Sequence, residues 1–374
     1  MTLRQKIEEE IRKSGPIPFS RYMEMCLYDP ELGYYARGTE QFGKAGDFYT
    51  SSDVHAVFGR LLVRQFEEMW RVQGSPARVE LLELGPGRGL FAQDVLDWSA
   101  KKFPEFFAAL HYTLVERSPA LRAKLPETLS EHFRLGKVAL VPEQREASES
   151  STIVFANEFF DALPVNVLSP EGELRIDLQD GRLVETWASA TAEELEFLDR
   201  YGVHPEARER VETPLAGHQY MAEIARATKQ GFVIVIDYGY VREEQLAGRH
   251  RGTLTAYRQH SVSVDPYEAP GEQDLTAHVN FTALAAAAAQ HGMQTQKLLT
   301  QAQFLMGIGE ESQFADAFVG CRLPQERAKV ALQLKHLVTP AGMGENFQVL
   351  VGSKGVAPER VANLSGLSFA RSRL

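Results

Sequence analysis

The stretch LLELGPGRGL, residues 81–90, decides how the rest of the chain is read. An apolar run stops at an acid, Glu83, and glycines follow at alternate positions, Gly85, Gly87 and Gly89. Glycines at the carboxyl end of a strand let the backbone take positive φ and approach a ligand closely. The spacing G-x-G-x-G departs from the dinucleotide pattern G-x-G-x-x-G, in which a helix N-terminus faces a pyrophosphate. An acid just ahead of the loop would repel a diphosphate. It suits a cationic ligand, one carrying an α-amino group or a sulfonium. The plainer alternative is a tight turn with an incidental acid.

Outward from this stretch, short apolar runs alternate with helical segments. RVELLEL precedes a helix from about residue 89, and HYTLVER precedes SPALRAKLPETL, with Ser118 as N-cap and Pro119 at the first helical position. STIVFANEFF and GFVIVIDYGY are two further buried-strand candidates. This repeated change of period predicts an α/β fold, a doubly wound, largely parallel Rossmann-like sheet. Residues 1–75 read as a helical N-terminal extension. Within it Val57, Leu61, Leu62, Phe66 and Met69 recur at helical spacing, and Ser52 or Asp53 is the expected N-cap. Residues 76–165 read as the first part of the sheet domain. Residues 166–230 read as an inserted α+β subdomain with a hairpin turning at Asp180-Gly181. Residues 231–374 complete the sheet domain, and include an alanine-rich helix ended by Gly292 and a late strand, NFQVLVGS. The stretch 242–280 is long enough to be expected as a functional, substrate-side lid.

Composition narrows the function classes. The 374 residues are 44% hydrophobic and 24% charged, as in ordinary globular proteins. A net charge of −10 gives no global drive toward phosphate backbones, so there is no strong nucleic-acid signal. No apolar run approaches ~20 residues, so no membrane span is expected. Cys26 and Cys321 are too few and too isolated for a disulfide framework or a zinc site, and no metal is expected. MTLRQKIEEEIRKSG has no apolar signal core and too many acids for a transit peptide, which sets the expectation of a cytoplasmic location. The chain is compatible with a homo-oligomer.

Chemistry-bearing residues cluster at predicted strand ends. Glu116 ends the second strand, where a carboxylate is placed to take both hydroxyls of a ribose. Glycine loop, leading acid and strand-two acid together resemble the S-adenosylmethionine site of class I methyltransferases. At the end of the fourth strand, FANEFFDALPV offers Asn157 and Glu158, with Asp161 one helical turn later. Methyltransferases acting on nucleobase amines place Asn-Pro-Pro-aromatic there, and the missing prolines argue against a base as acceptor. Two carboxylates suit a guanidinium, which they pair with through fork-like, charge-assisted hydrogen bonds. Acids in first helical turns are also common for dipole reasons alone, so a capping role is the competing account. Tyr238 in IDYGY and His278 in DLTAHVNF are candidates for the acceptor side.

These pieces, with SGPIPFSRYMEMCLYDPELGYY, GDFYTSSDVHAVFG and TQAQFLMGIG, resemble the MidA family of class I methyltransferases over nearly the whole chain. The resemblance implies a seven-stranded methyltransferase sheet and S-adenosyl-L-methionine as cofactor. It also implies that GDFYTSSD folds over the cofactor, which makes Asp47, Thr50 and Ser51 pocket candidates. The family usually reads Thr-Ser-Pro-Glu where this chain has Thr50, Ser51, Ser52 and Asp53, so a slightly altered lid is expected. An arginine of a protein substrate is the acceptor the resemblance favours. A small-molecule O- or N-methyltransferase and a non-catalytic assembly factor on the same fold are the alternatives.

Overall fold

The runs VELLEL, LHYTLV, STIVFAN and GFVIVIDYGY form neighbouring parallel strands in the computed structural model. The structure describes residues 1–36, 56–143, 151–245, 252–258, 261–263, 265–340 and 342–371. Asp47, Thr50, Ser51 and the expected N-caps Ser52 and Asp53 lie outside the described residues. The central sheet follows one path through β1 (Val79–Leu84), β2 (Leu110–Val115), β3 (Val138–Val141), β4 (Ser151–Asn157), β5 (Gly231–Tyr240), β6 (Gln294–Thr295) and β7 (Phe347–Lys354). Across the sheet the order is β3-β2-β1-β4-β5-β7-β6, with two short strands paired off this path. Pairs from β3 to β5 are parallel, and β7 runs antiparallel to both β5 and β6.

Why these runs are apolar throughout is explained by what covers them. Leu81, Ile153, Phe155, Ile234 and Ile236 face one core, shared with the helices Ala56–Val72, Leu90–Lys102 and Gln301–Glu310. Leu82, Leu84, Val154, Val233 and Val235 face the other, shared with the helices Leu215–Ala227 and Phe281–Gln290. A sheet buried on both faces has no polar alternation to show.

A second layer joins three segments far apart in sequence. Strand Ile17–Pro18 pairs with strand Gly172–Gln179, which forms the expected hairpin with Arg182–Ala188. Asp180 and Gly181 turn it with φ of 49° and 72°, the left-handed pair of a type I′ turn. The stretch 242–280, expected as a lid, contains a three-stranded antiparallel sheet of Thr255–Arg258, Ser261–Ser263 and Asp274–Thr276. Strands of three or four residues hold too few alternations to be read as strands. Leu3, Ile7 and Phe19 from the N-terminal helices, Val167 and Ile176 from the insertion, and Leu275 share one core.

Gly231, at the start of β5, has φ of 142°, and a Cβ there would lie 1.8 Å from the carbonyl oxygen of Thr152 in β4. Gly231→Ala must therefore break the first rung between the two strands. A loss of about 3 kcal/mol or more in urea unfolding is expected, and a stability unchanged from wild type would show that the strand start can shift freely.

Candidate active site

Strand order reverses at β1, which has β2 on one side and β4 on the other. Ligands of open α/β sheets bind outside the carboxyl ends of strands at such a point. Here a cavity open to solvent is walled by Glu83, Gly85, Gly87, Glu116, Asn157 and Glu158. It therefore collects the glycine turn and the ends of β1, β2 and β4.

The glycine turn is built as the spacing demands. Gly85, Gly87 and Gly89 have φ of 63°, 52° and 75°. The Gly85 amide donates to Val115 at 3.0 Å and the Gly89 amide to Pro86 at 2.8 Å. Gly89 starts the helix Leu90–Lys102, and a Cβ on it would press Leu125 at 2.8 Å. The glycines thus combine a left-handed turn with close packing.

Two acids flank the turn. Glu83 is 5% exposed and accepts a hydrogen bond from the Tyr112 hydroxyl at 2.8 Å. Burial, with Glu116 adding to it, pushes its carboxyl up to about 8 against the pull of Tyr112. Glu116 is 8% exposed and accepts from the Ser118 amide at 2.7 Å. Burial pushes it up to about 7, opposed by that amide and by Arg122.

At the end of β4 the chain turns sharply. The Glu158 amide still donates to Ile236 in β5 at 3.0 Å, after which Glu158 takes φ of 51°. A glutamate in the left-handed region is uncommon and marks a backbone held for a reason. Glu158 Oε1 accepts from Asn157 Nδ2 at 3.0 Å, while Asn157 Oδ1 is buried without a hydrogen-bond partner. The sequence places Asp161 in a first helical turn; the structure has a non-helical turn there, so neither acid caps a helix. Phe159, Phe160 and the Pro164 that follows disfavour a helix start here. Asp161 is 8% exposed, its Oδ1 also lacks a partner, and burial pushes its carboxyl up to about 7. Ala162, next to it, lines the cavity; Asp161 itself stands behind that wall.

Tyr28 and Tyr35 line the cavity from the N-terminal segment. The Tyr28 hydroxyl donates to the Ala162 carbonyl at 2.9 Å and the Tyr35 hydroxyl to Asp274 at 3.3 Å. Their rings lie 5.5 Å apart. Sequence reading singled out neither, though the aromatic density of CLYDPELGYY was the available signal. Tyr238 and His278 are not brought to the cavity wall. The Tyr238 ring packs against Phe347 at 3.9 Å and stacks with His278 at 6.4 Å, and His278 is exposed. Buried Asp237 joins β5 to the Glu158 turn. Burial, Asp161 and Glu158 push its carboxyl upward, against backbone amides that favour its ionised form. Among the described residues no group of side chains could hold a metal and no helix is long and apolar enough to cross a membrane.

The site fits a ligand with hydroxyl and cationic groups: its wall offers carboxylates, a left-handed glycine cradle and an unpartnered amide oxygen. Comparison with known proteins agrees. Residues 61–299 match the model of an S-adenosyl-L-methionine-dependent methyltransferase family. The protein arginine methyltransferase NDUFAF7 homolog, mitochondrial, of Drosophila melanogaster is 30% identical over 95% of this chain and 85% of its own length. The Homo sapiens protein arginine methyltransferase NDUFAF7, mitochondrial, is 28% identical over 90% of this chain and 80% of its own. A solved structure from Burkholderia thailandensis, bound to S-adenosyl-homocysteine, superposes with a TM-score of 0.85 at 29% identity, covering 98% of this chain and 94% of that one. The expectation of a cytoplasmic location is corrected by these relatives, whose names in fly, fish, mouse and human all carry the word mitochondrial. An acid-rich N-terminus is a weak guide to compartment. With the match spanning more than half its length, the chain belongs to the MidA family of class I S-adenosyl-L-methionine-dependent methyltransferases.

Proposed function

We propose that this methyltransferase transfers a methyl group to a guanidinium nitrogen of an arginine in a protein substrate. The observation that carries the reading is the pair of acids at the end of β4: Glu158 at the cavity wall in a strained backbone, and Asp161 buried with a carboxylate oxygen unpartnered. Unsatisfied buried acceptors are costly, so a donor-rich cationic acceptor is the partner they suit. The names of the fly and human relatives support the same acceptor.

In this reading Glu83, Gly85, Gly87, Gly89 and Glu116 hold the cofactor. When bound, it supplies an electrophilic methyl group on a sulfonium. Glu116, beyond the end of β2, takes the ribose hydroxyls, and Glu83 neutralises positive charge on the amino-acid part. Family resemblance adds Asp47, Thr50 and Ser51 to this pocket, and the strand-end position of Tyr238 and the loop residue His278 remain candidates for the acceptor side. Glu158 pairs with the guanidinium from the cavity wall and leaves a nitrogen free to attack, with Asp161 buried beside Ala162 as the second acid on that side. Asn157 Oδ1 accepts a further N–H. A carboxyl with an affinity near neutrality, as Asp161 has, is matched to take the proton that the attacking nitrogen sheds.

Raised carboxyls make cofactor binding pH-dependent. A cationic ligand favours the ionised forms of Glu83 and Glu116, so affinity rises with pH through the range of about 7 to 8 that these groups occupy. Below that range binding must first expel protons. Calorimetry at pH 7 in buffers of different ionisation enthalpy is expected to show net proton release, reduced in Glu83→Gln. Affinity flat from about pH 6 to 8 with no proton release would count against the assignment.

Glu158→Gln and Asp161→Asn are each expected to lower methylation of an arginine peptide by about 100-fold or more while leaving cofactor affinity within about threefold. Wild-type rates in both variants, followed with labelled cofactor, would remove arginine as the acceptor.

A further inference from the structure

We infer that Asp237, in β5 just past the last pair with β4, is the positioning residue that holds Glu158 toward the cavity. This rests on the role proposed for Glu158 and extends it to a residue that does not itself line the cavity.

The argument begins where the β4–β5 ladder stops. Asn157 is level with Ile236, and the Glu158 amide makes the last rung to the Ile236 carbonyl. Glu158 then enters the left-handed region at φ of 51°, which is unfavourable for a residue with a Cβ. Something must offset that cost. The next three amides, of Phe159, Phe160 and Asp161, turn inward and donate to one oxygen, Oδ2 of Asp237, at 3.2, 2.9 and 3.3 Å. Oδ1 accepts from the Tyr238 amide at 2.9 Å. Successive amides converging on one anion form a nest, and here the anion is part of the protein.

Asp237 is suited to anchor such a turn because it cannot move. It is 0% exposed and sits in a strand held between β4 and, through its pairing with Gln348, β7. Only a carboxylate serves both sides. Asparagine has one acceptor oxygen, and its amide group would point N–H toward either the three amides or that of Tyr238. The competing account is that buried Phe160 fixes the turn by packing, with Asp237 a bystander.

Asp237→Asn, Glu158→Gln and the double variant of the full chain test this, with an arginine peptide and labelled S-adenosylmethionine as probes. In Asp237→Asn the amides of 159–161 are expected to exchange hydrogen about tenfold faster, with β1 unchanged. Turnover should fall by about 100-fold at a peptide KM within about threefold, and the loss should vanish in the Glu158→Gln background. Unchanged exchange, or a turnover loss that simply adds to that of Glu158→Gln, overturns the proposal. If Glu158→Gln is fully active, the role given to Glu158 fails, while the exchange result still judges whether Asp237 holds the turn. Where Asp237→Asn does not fold, Glu158→Gly carries the test. Relief of a strain that Asp237 restrains should slow exchange of the three amides and raise the unfolding midpoint; no change in either overturns it.

Discussion

Carboxyl groups buried at one edge of a parallel sheet are the constraint the rest of this structure answers to. Glu83, Glu116, Asp161 and Asp237 are each less than a tenth exposed, and all lie beyond or at the ends of neighbouring strands. A buried carboxylate is unfavourable by several kcal/mol unless hydrogen bonds replace its water. Each of the four meets that demand differently. Glu83 takes a tyrosine hydroxyl, Glu116 a backbone amide, and Asp237 four backbone amides. Asp161 keeps one oxygen without a partner, which makes it the least satisfied of the set. The degree of satisfaction runs parallel to the proposed roles: the anchor is fully bonded, the binding acids partly so.

Those answers depend on rigid surroundings. Tyr112 reaches Glu83 because β1 and β2 pair in register, with Leu81 level with Tyr112. The amides reach Asp237 because β4 stops at Asn157, level with Ile236, while β5 runs on through Asp237. Both registers are enforced by alternating residues locked into two cores, so that a slip of one residue would exchange the faces of Phe155 and Val154. The apolar core therefore contributes to chemistry by fixing where the strands stop. The second layer acts from the other side. Its core holds the N-terminal helices against the insertion and against strand Asp274–Thr276, which places Tyr28 and Tyr35 at the cavity wall.

How much of this could be read from the sequence divides along a physical line. Local devices were legible: the left-handed glycines, Ser118 as N-cap accepting from the Leu121 amide, the Asp180-Gly181 hairpin and the apolar strands. Each is governed by residues within a few positions of one another. Candidates set by tertiary geometry were less so. Asp161 was expected in a helix, yet its backbone follows Asp237, which is 76 positions away. The packing of the Tyr238 ring on Phe347 from β7 is likewise set by partners far along the chain. The partners of Tyr35 and Tyr28 lie far along the chain and carry no local signature. The three-stranded sheet within 242–280 escaped because its strands are shorter than the period needed to see them.

The same carboxyl edge also explains how one site can handle two positively charged reactants. Two cations brought together repel, by about 1 kcal/mol at 4 Å in water and several times more where solvent is excluded. Acids poised near neutrality relieve this by degrees. Each can give up its proton as a cation arrives and recover one as positive charge leaves, so the charge of the edge follows that of its ligands. Under the proposed reading, Glu83 and Glu116 respond to the cofactor side, and Asp161 to the guanidinium side. Methyl transfer removes the sulfonium charge and releases a proton from the attacking nitrogen, and a raised carboxyl such as Asp161 stands ready for that proton. The electrostatic grip is then tighter on the reactants than on the demethylated cofactor. A site walled by ordinary, fully ionised surface acids would lack this adjustment, which is why burial of the acids, costly as it is to the fold, belongs to the chemistry.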